Sequence, residues 1–196
     1  MVFPDAHQEV ALVAISLAGG SDIQFAAITD TIDINQGDYP GEGIPTMAGG
    51  RIWKQSPQED GEVTLEIYPI ELDTTSGVGL FQQYNGGTID TAEPLATDNT
   101  FPPGVSRIRD RFRIAILWTN DPAATTAEGS TAANTESLRY FATDCRITSH
   151  NADYTDDILK ITVTFKFPAL NKAGTVKNSN WQSGDDTALV ALGSYT

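Results

Sequence analysis

Few residues in this chain are equipped for chemistry. Cys145 is the single cysteine, and the histidines are His7 and His150. No internal disulfide and no cysteine zinc cluster follows from that set, and a zinc site built mainly from His is nearly excluded. Cys145 and His150 stand five residues apart. On a strand an odd spacing turns two side chains to opposite faces, so a Cys–His nucleophile pair is not expected. Cys145 reads instead as a small buried hydrophobe. GxSxG, HExxH, Walker and GxGxxG patterns are absent. Two acidic stretches could in principle face a hard cation: Asp30, Asp33, Asn35 and Asp38, then Asn151, Asp153, Asp156 and Asp157. Neither has calcium-loop spacing, and solvated turns are the expectation for both. The chain therefore reads as a non-enzyme with no catalytic, cofactor or metal site.

The sharpest feature is a run of alternating arginines, Arg107, Arg109, Arg111 and Arg113, in VSRIRDRFRIAILWT. They hold four of the seven arginines of the chain on one face of one strand. Like charges about 6.8 Å apart repel unless paired. Ion pairing across the sheet or to another subunit is the first expectation. A solvent-facing side and a phosphate track are the alternatives.

The segments that must position these residues are β-like. Residues 10–18 form a buried strand. Residues 22–35 form a longer one whose apolar positions change phase near Ala26–Ile28, which predicts a bulge or a sheet crossing. Residues 62–70 alternate, with Val63, Leu65 and Ile67 on one face. Residues 105–119 carry the arginines, with Phe112, Ile114, Ile116 and Trp118 on the opposite face. Residues 137–149 and 157–168 read as a hairpin pair. Residues 76–85 are the helix candidate, with Ser76 as cap and Gly86–Gly87 as stop. Residues 120–136 read as an exposed loop. Residues 169–196 form a C-terminal arm with a weak last strand, TALVALGSY.

Between the second and third strands lies a loop over 36–61 with six glycines and three prolines. Loops of that length in compact domains are functional or disordered. This one bears Ile44, Met47, Ile52 and Trp53, which disordered linkers rarely do. It reads as a loop that docks on something, with a short strand in GGRIWKQS.

The chain has 196 residues, 12 Lys+Arg against 26 Asp+Glu, and a net charge of −14. That suits one domain and argues against a tight nucleic-acid grip, which needs cationic surface. There are 17 Asp, 9 Glu, 5 Lys and 23 Thr. Short carboxylates, few lysines and many threonines suit very high salt, where the Debye length is ~3 Å at 1 M. An ordinary acidic protein is the alternative. The first twenty residues lack a basic n-region, so no secretory signal is expected. No apolar run is long enough to span a membrane.

In the order of these parts the chain resembles the major tail (tube) proteins of long-tailed double-stranded DNA viruses, closest to those of viruses infecting halophilic archaea. The parts are the two opening strands, the loop ending in GGRIWKQSPQEDGEVTLEIYPIE, the short helix GLFQQYNG, the strand RIRDRFRIAILWT, and the closing pair LRYFATDCRITS and LKITVTFKFPALN. The resemblance implies a mainly β, tail-tube-type β-sandwich over residues 1–196, with one flanking helix. Hexameric rings with a continuous luminal β-barrel would stack into a tube. A barrel of about 24 strands at ~4.8 Å spacing and ~40° tilt is ~48 Å across its backbone. A duplex of roughly 20 Å passes through that opening.

On this resemblance the chain is a structural virion protein of the tail, assembled in the host cytoplasm, that conducts the genome during ejection. Its partners are further copies of itself, the tail terminator and baseplate-side proteins. The tape-measure protein and DNA pass through the lumen without specific binding, and no membrane is engaged. Ile44, Met47, Ile52 and Trp53 become ring-stacking residues. The lumen wall is expected to be acidic or neutral. Asp30 and Asp33 are candidates for it, at most one of them, since their odd spacing sets them on opposite faces. The competing class is a β-sandwich binding or decoration module on a virion or cell surface.

Overall fold

The computed structural model describes residues 11–19, 22–25, 31–67, 111–155, 158–184 and 186–196. Ten strands run through them: β1 (Ala11–Leu17), β2 (Asp22–Phe25), β3 (Ile32–Asn35), β4 (Gly41–Pro45), β5 (Arg51–Gln55), β6 (Gly61–Ile67), β7 (Phe112–Thr119), β8 (Ser137–Thr155), β9 (Ile158–Phe167) and β10 (Ser179–Gly184). The helix candidate over 76–85, the arginines Arg107 and Arg109, and Asp30, Asp156 and Asp157 lie outside the described residues.

One antiparallel sheet runs in the order β2-β1-β7-β8-β9-β6-β3, with β10 also on β8. It curls because β8 serves two layers. Ser137–Cys145 of β8 pair with β7, while Arg146–Thr155 pair with β9. β10 lies against the first part, on Ser137–Ala142. The change-over is marked by two register shifts, at Phe112/Ile114 and Ile147/Ser149, and by Asp144 at φ 60°. Bulges bend a strand and increase its twist, and strands that switch layers this way make the corner of a folded-over sheet. One layer is then β2-β1-β7-β8-β10, and the other is β8-β9-β6-β3.

The phase change in 22–35 has a plain outcome. Its first part, β2, pairs with β1 at one end of the sheet order, and its last part, β3, pairs with β6 at the other.

The core lies between the layers: Val13 and Ile15 of β1, Val63 and Leu65 of β6, Phe112, Ile114 and Ile116 of β7, Tyr140, Ala142 and Cys145 of β8, and Ile161, Val163, Phe165 and Phe167 of β9. Each strand contributes every second residue, as the pleat requires, except β8, where the bulge makes the step from Ala142 to Cys145 three residues. Gly61 is required where Phe167 crosses it, since a Cβ there would sit 2.2 Å from the ring.

β7 is buried on both faces. Its other face, with Ala115 and Leu117, packs with Leu12, Ala14, Ala127 and Leu189. The cover is irregular chain from 120–136 and 186–196. The expectation of an exposed loop over 120–136 is therefore corrected: Asp121, Ala127, Glu128 and Thr131 are buried. TALVALGSY is likewise not a strand. Leu189 packs on β7, and the backbone of this segment pairs with the loop, through Thr131 N to Leu189 O at 3.2 Å and Leu192 N to Glu128 O at 2.8 Å. The strand of this region is the earlier SNWQSG.

The bulge at Ile147/Ser149 also revises the Cys145–His150 expectation. Cys145 stands opposite Phe112 and His150 opposite Val163, both core residues, so the two side chains share a side after all. The Cys145 thiol donates to Ala142 O at 3.4 Å, and burial raises its pKa, the reverse of what a nucleophile needs. Burial lowers His150 to a pKa of about 4. An unfolded histidine titrates near ~6.5, so the unfolded chain binds the extra proton between the two values. Stability contributed by neutral His150 is present above pH ~6.5 and falls as pH drops toward ~4. Urea midpoints at pH 7.5 and 4.5 should differ more for the wild type than for His150→Leu. Equal differences would show that His150 is not desolvated.

Candidate assembly surfaces

Strands β4 and β5 form a separate two-stranded arm that pairs with no strand of the curled sheet among the described residues. The loop over 36–61 is thus a hairpin on a braced base. Tyr39 donates through its hydroxyl to Gln58 Oε1 at 2.6 Å, and Gln58 Nε2 donates to Gln36 O at 2.8 Å. Backbone bonds join Glu59 N to Asp38 O at 2.9 Å and Ser56 N to Pro40 O at 2.8 Å. Gly37, at φ +81°, is obligatory here, because a Cβ would lie 2.1 Å from Glu59 O. At the tip, Thr46 N donates to Gly50 O at 2.8 Å, with Gly49 at φ +81° making the turn.

All four apolar residues picked from the sequence are exposed on this arm: Ile44 by 42%, Ile52 by 61%, Trp53 by 68% and Met47 fully. Ile44 and Ile52 face each other across the ladder on one side. Trp53 occupies the other side, over the shelf left by Gly41 and Gly43. Each face of the ribbon therefore carries exposed apolar side chains. A lone two-stranded ribbon is marginal in water, and each such side chain gains about 1.5–3 kcal/mol if fully buried.

The second surface is the outward face of the four-stranded layer. Asp33 of β3, Glu62, Thr64 and Glu66 of β6, and Lys160, Thr162, Thr164 and Lys166 of β9 alternate against the core positions. Register adds Arg146, Asn151 and Asp153 of β8 to the same face. Its charges neutralise one another in place: Lys166 Nζ lies 3.0 Å from Glu62 and Lys160 Nζ 3.1 Å from Glu66, with the Thr64 and Thr164 hydroxyls 3.3 Å apart between them. Four carboxylates (Asp33, Glu62, Glu66, Asp153) face three cations (Arg146, Lys160, Lys166), one negative charge net.

The two described members of the alternating run, Arg111 and Arg113, find partners within the chain. Arg113 is buried and makes a two-pronged pair with Glu128, Nε to Oε1 and Nη2 to Oε2, both at 2.8 Å. Its Nη1 donates to Gly193 O at 2.6 Å, and Ser16 Oγ donates to Glu128 Oε1 at 2.6 Å. The Tyr195 ring stands 5.5 Å from the guanidinium. Arg111 lies 3.5 Å from Asp144 at the bulge and is half exposed. The counter-charges of Arg113 and Arg111 thus come from the covering loop and from the bulge of the same chain.

Arg139 is also buried, held by the carbonyls of Gly129 and Val190 and by Gln182 Oε1. Its desolvation lowers its pKa. The run of alternating arginines gave no sign of Arg139. The weak sequence signal was an arginine in phase with Phe141, on the face of β8 opposite Tyr140.

Among the described residues no group of three His, Cys, Asp or Glu is placed to hold a metal ion. Asn35 Oδ1 instead accepts from Gly37 N at 2.9 Å, turning the chain into the arm. Asn151 and Asp153 stand on the polar face of β8.

No family model matches the chain, and no curated protein matches it. Solved structures do. The sheath/tube terminator of an extracellular contractile injection system is 13% identical, with 92% of this chain and 98% of that one covered at a TM-score of 0.53. A chain of the sheath–tube complex of such a system is 12% identical, with 87% and 88% covered at a TM-score of 0.50. At those identities the likeness speaks for the fold, and the fold is the mainly β one shared with tube-associated components of contractile injection systems.

Proposed function

We propose that this chain is the building block of a tail-type tube. Subunits close into hexameric rings and the arm links ring to ring. The neutral polar layer β8-β9-β6-β3 faces the channel, with Asp33 on that wall. The cargo is the viral genome, the setting is the tail of a virion, and the Asp-rich, Lys-poor surface fits a virus of a halophilic archaeal host. Terminator and baseplate-side proteins cap the tube, and a tape-measure protein occupies it before the genome. Assembly belongs to the host cytoplasm.

The observation that carries this reading is the arm: a braced hairpin, with exposed apolar side chains on both faces, on a fold shared with tube-associated proteins. A monomeric surface module has no use for it. A self-neutralised face also suits a conduit, since each lysine near the wall already has its carboxylate and phosphate gains little by displacing it. Trp53→Ala tests the arm. The side chain is exposed in the monomer, so far-UV dichroism and the urea midpoint should stay within ~0.5 kcal/mol of wild type. Tubes seen by negative stain should be absent or shortened at least tenfold. Tubes of normal length from this variant would remove the arm from assembly.

A further inference from the structure

The arm needs a seat, and the chain offers one of matching chemistry. Beside the base of the arm lies an open groove of about 590 Å³, lined by Asp33, Asn35, Asp38 and Trp181 among others. Trp181 of β10 is 47% exposed, and its position is fixed from beneath by Trp118, with ring centroids 5.9 Å apart, and by Tyr140 at 4.9 Å. One flank of the groove is thus a fixed aromatic plate and the other the turn that carries the exposed Asp38. Among the described residues neither Asp33 nor Asp38 makes an ion pair. Lys177 Nζ sits over the Tyr39 ring, 5.7 Å from its centroid.

The arm presents the complement. In an acidic chain, β5 carries Arg51 and Lys54, both exposed, beside Ile52 and Trp53. Among the described residues these two cations also lack ion pairs. We propose that the groove of Asp38 and Trp181 receives the β4–β5 arm of a second copy of this chain, with Arg51 set against the Asp38 carboxylate and Trp53, on the same face of the arm, against Trp181. The inference rests on the tube reading above and adds the receiving surface to it. Each copy then offers one arm and one groove on different patches. Such a contact is heterologous and propagates head to tail, as stacking requires. Strands of five residues reach ~17 Å from the base, beyond the body that bears them.

Two measurements decide it. Asp38→Cys and Arg51→Cys are purified separately, mixed in equal amounts and oxidised; the native Cys145 is buried and does not compete. A disulfide-linked dimer should exceed that of either variant alone at least tenfold. In the second, tubes are grown at about 0.15 M salt, where the Debye length is ~8 Å. Arg51→Glu and Asp38→Lys should each shorten tubes at least tenfold, and the two combined should restore them. No cross-link in mixtures that still form tubes overturns the proposal, as do charge reversals that grow normally. In both of those cases the tube reading itself stands, provided Trp53→Ala still blocks growth. A wild type that forms neither rings nor tubes overturns both.

Discussion

Replacing Arg113 by Met should destabilise the monomer by about 3–5 kcal/mol, a large share of the ~5–15 kcal/mol that holds a typical domain. Arg113 and Glu128 are both buried, and the carboxylate takes two bonds from the guanidinium and one from Ser16. Taking the cation away leaves a buried carboxylate with a single hydroxyl. It also frees Gly193 O, one of the points where the C-terminal segment is fastened. Buried pairs are poor sources of net stability but expensive to break on one side. The double change Arg113→Met/Glu128→Leu should therefore recover most of the loss. Urea unfolding with fitted slopes measures all three proteins. A single change costing under 1 kcal/mol would mean that water reaches the pair and that the covering loop does not seal it.

The second large effect concerns the polar face. Glu62→Lys with Glu66→Lys turns a face of one net negative charge into one of three positive charges, and it strips Lys160 and Lys166 of their partners. In an assembled ring that change is repeated by every subunit around one channel. Tubes of the variant should retain duplex DNA at 50 mM salt where wild-type tubes do not. They should release it steeply, since binding through 6–10 phosphates loses roughly 10³–10⁵ in affinity between 50 and 200 mM salt. DNA retention equal to wild type would place this face away from the channel.

How much of this was legible in the sequence depended on which physical rule governed each segment. Alternation located β6 and β9 to within a few residues and β7 in the second half of 105–119, and the apolar run 10–18 located β1, because a face of each is packed in the core. The apolar residues of the arm were conspicuous for lacking any such period, and they are exposed on a hairpin. The covering chain was not legible. Ala127, Glu128 and Leu189 are buried without regular structure, and their partners sit more than ten residues away in sequence, so no local pattern marks them. The same holds for the arginine strand. Its spacing demanded counter-charge, but only the folded chain shows that Glu128, from a stretch that read as exposed, meets Arg113. The bulges in β8 were equally hidden, and they carried His150 to the side where simple alternation did not place it.

The central claim is that this chain builds a tube around the β8-β9-β6-β3 face. Electron cryomicroscopy of the purified wild-type protein across low to multimolar salt tests it most directly. The account predicts hexameric rings stacked through the β4–β5 arm, with Asp33, Glu62, Glu66, Lys160 and Lys166 facing an open channel. Particles that stay monomeric near 21.1 kDa at every salt concentration, or a channel lined by another face of the sheet, would contradict it.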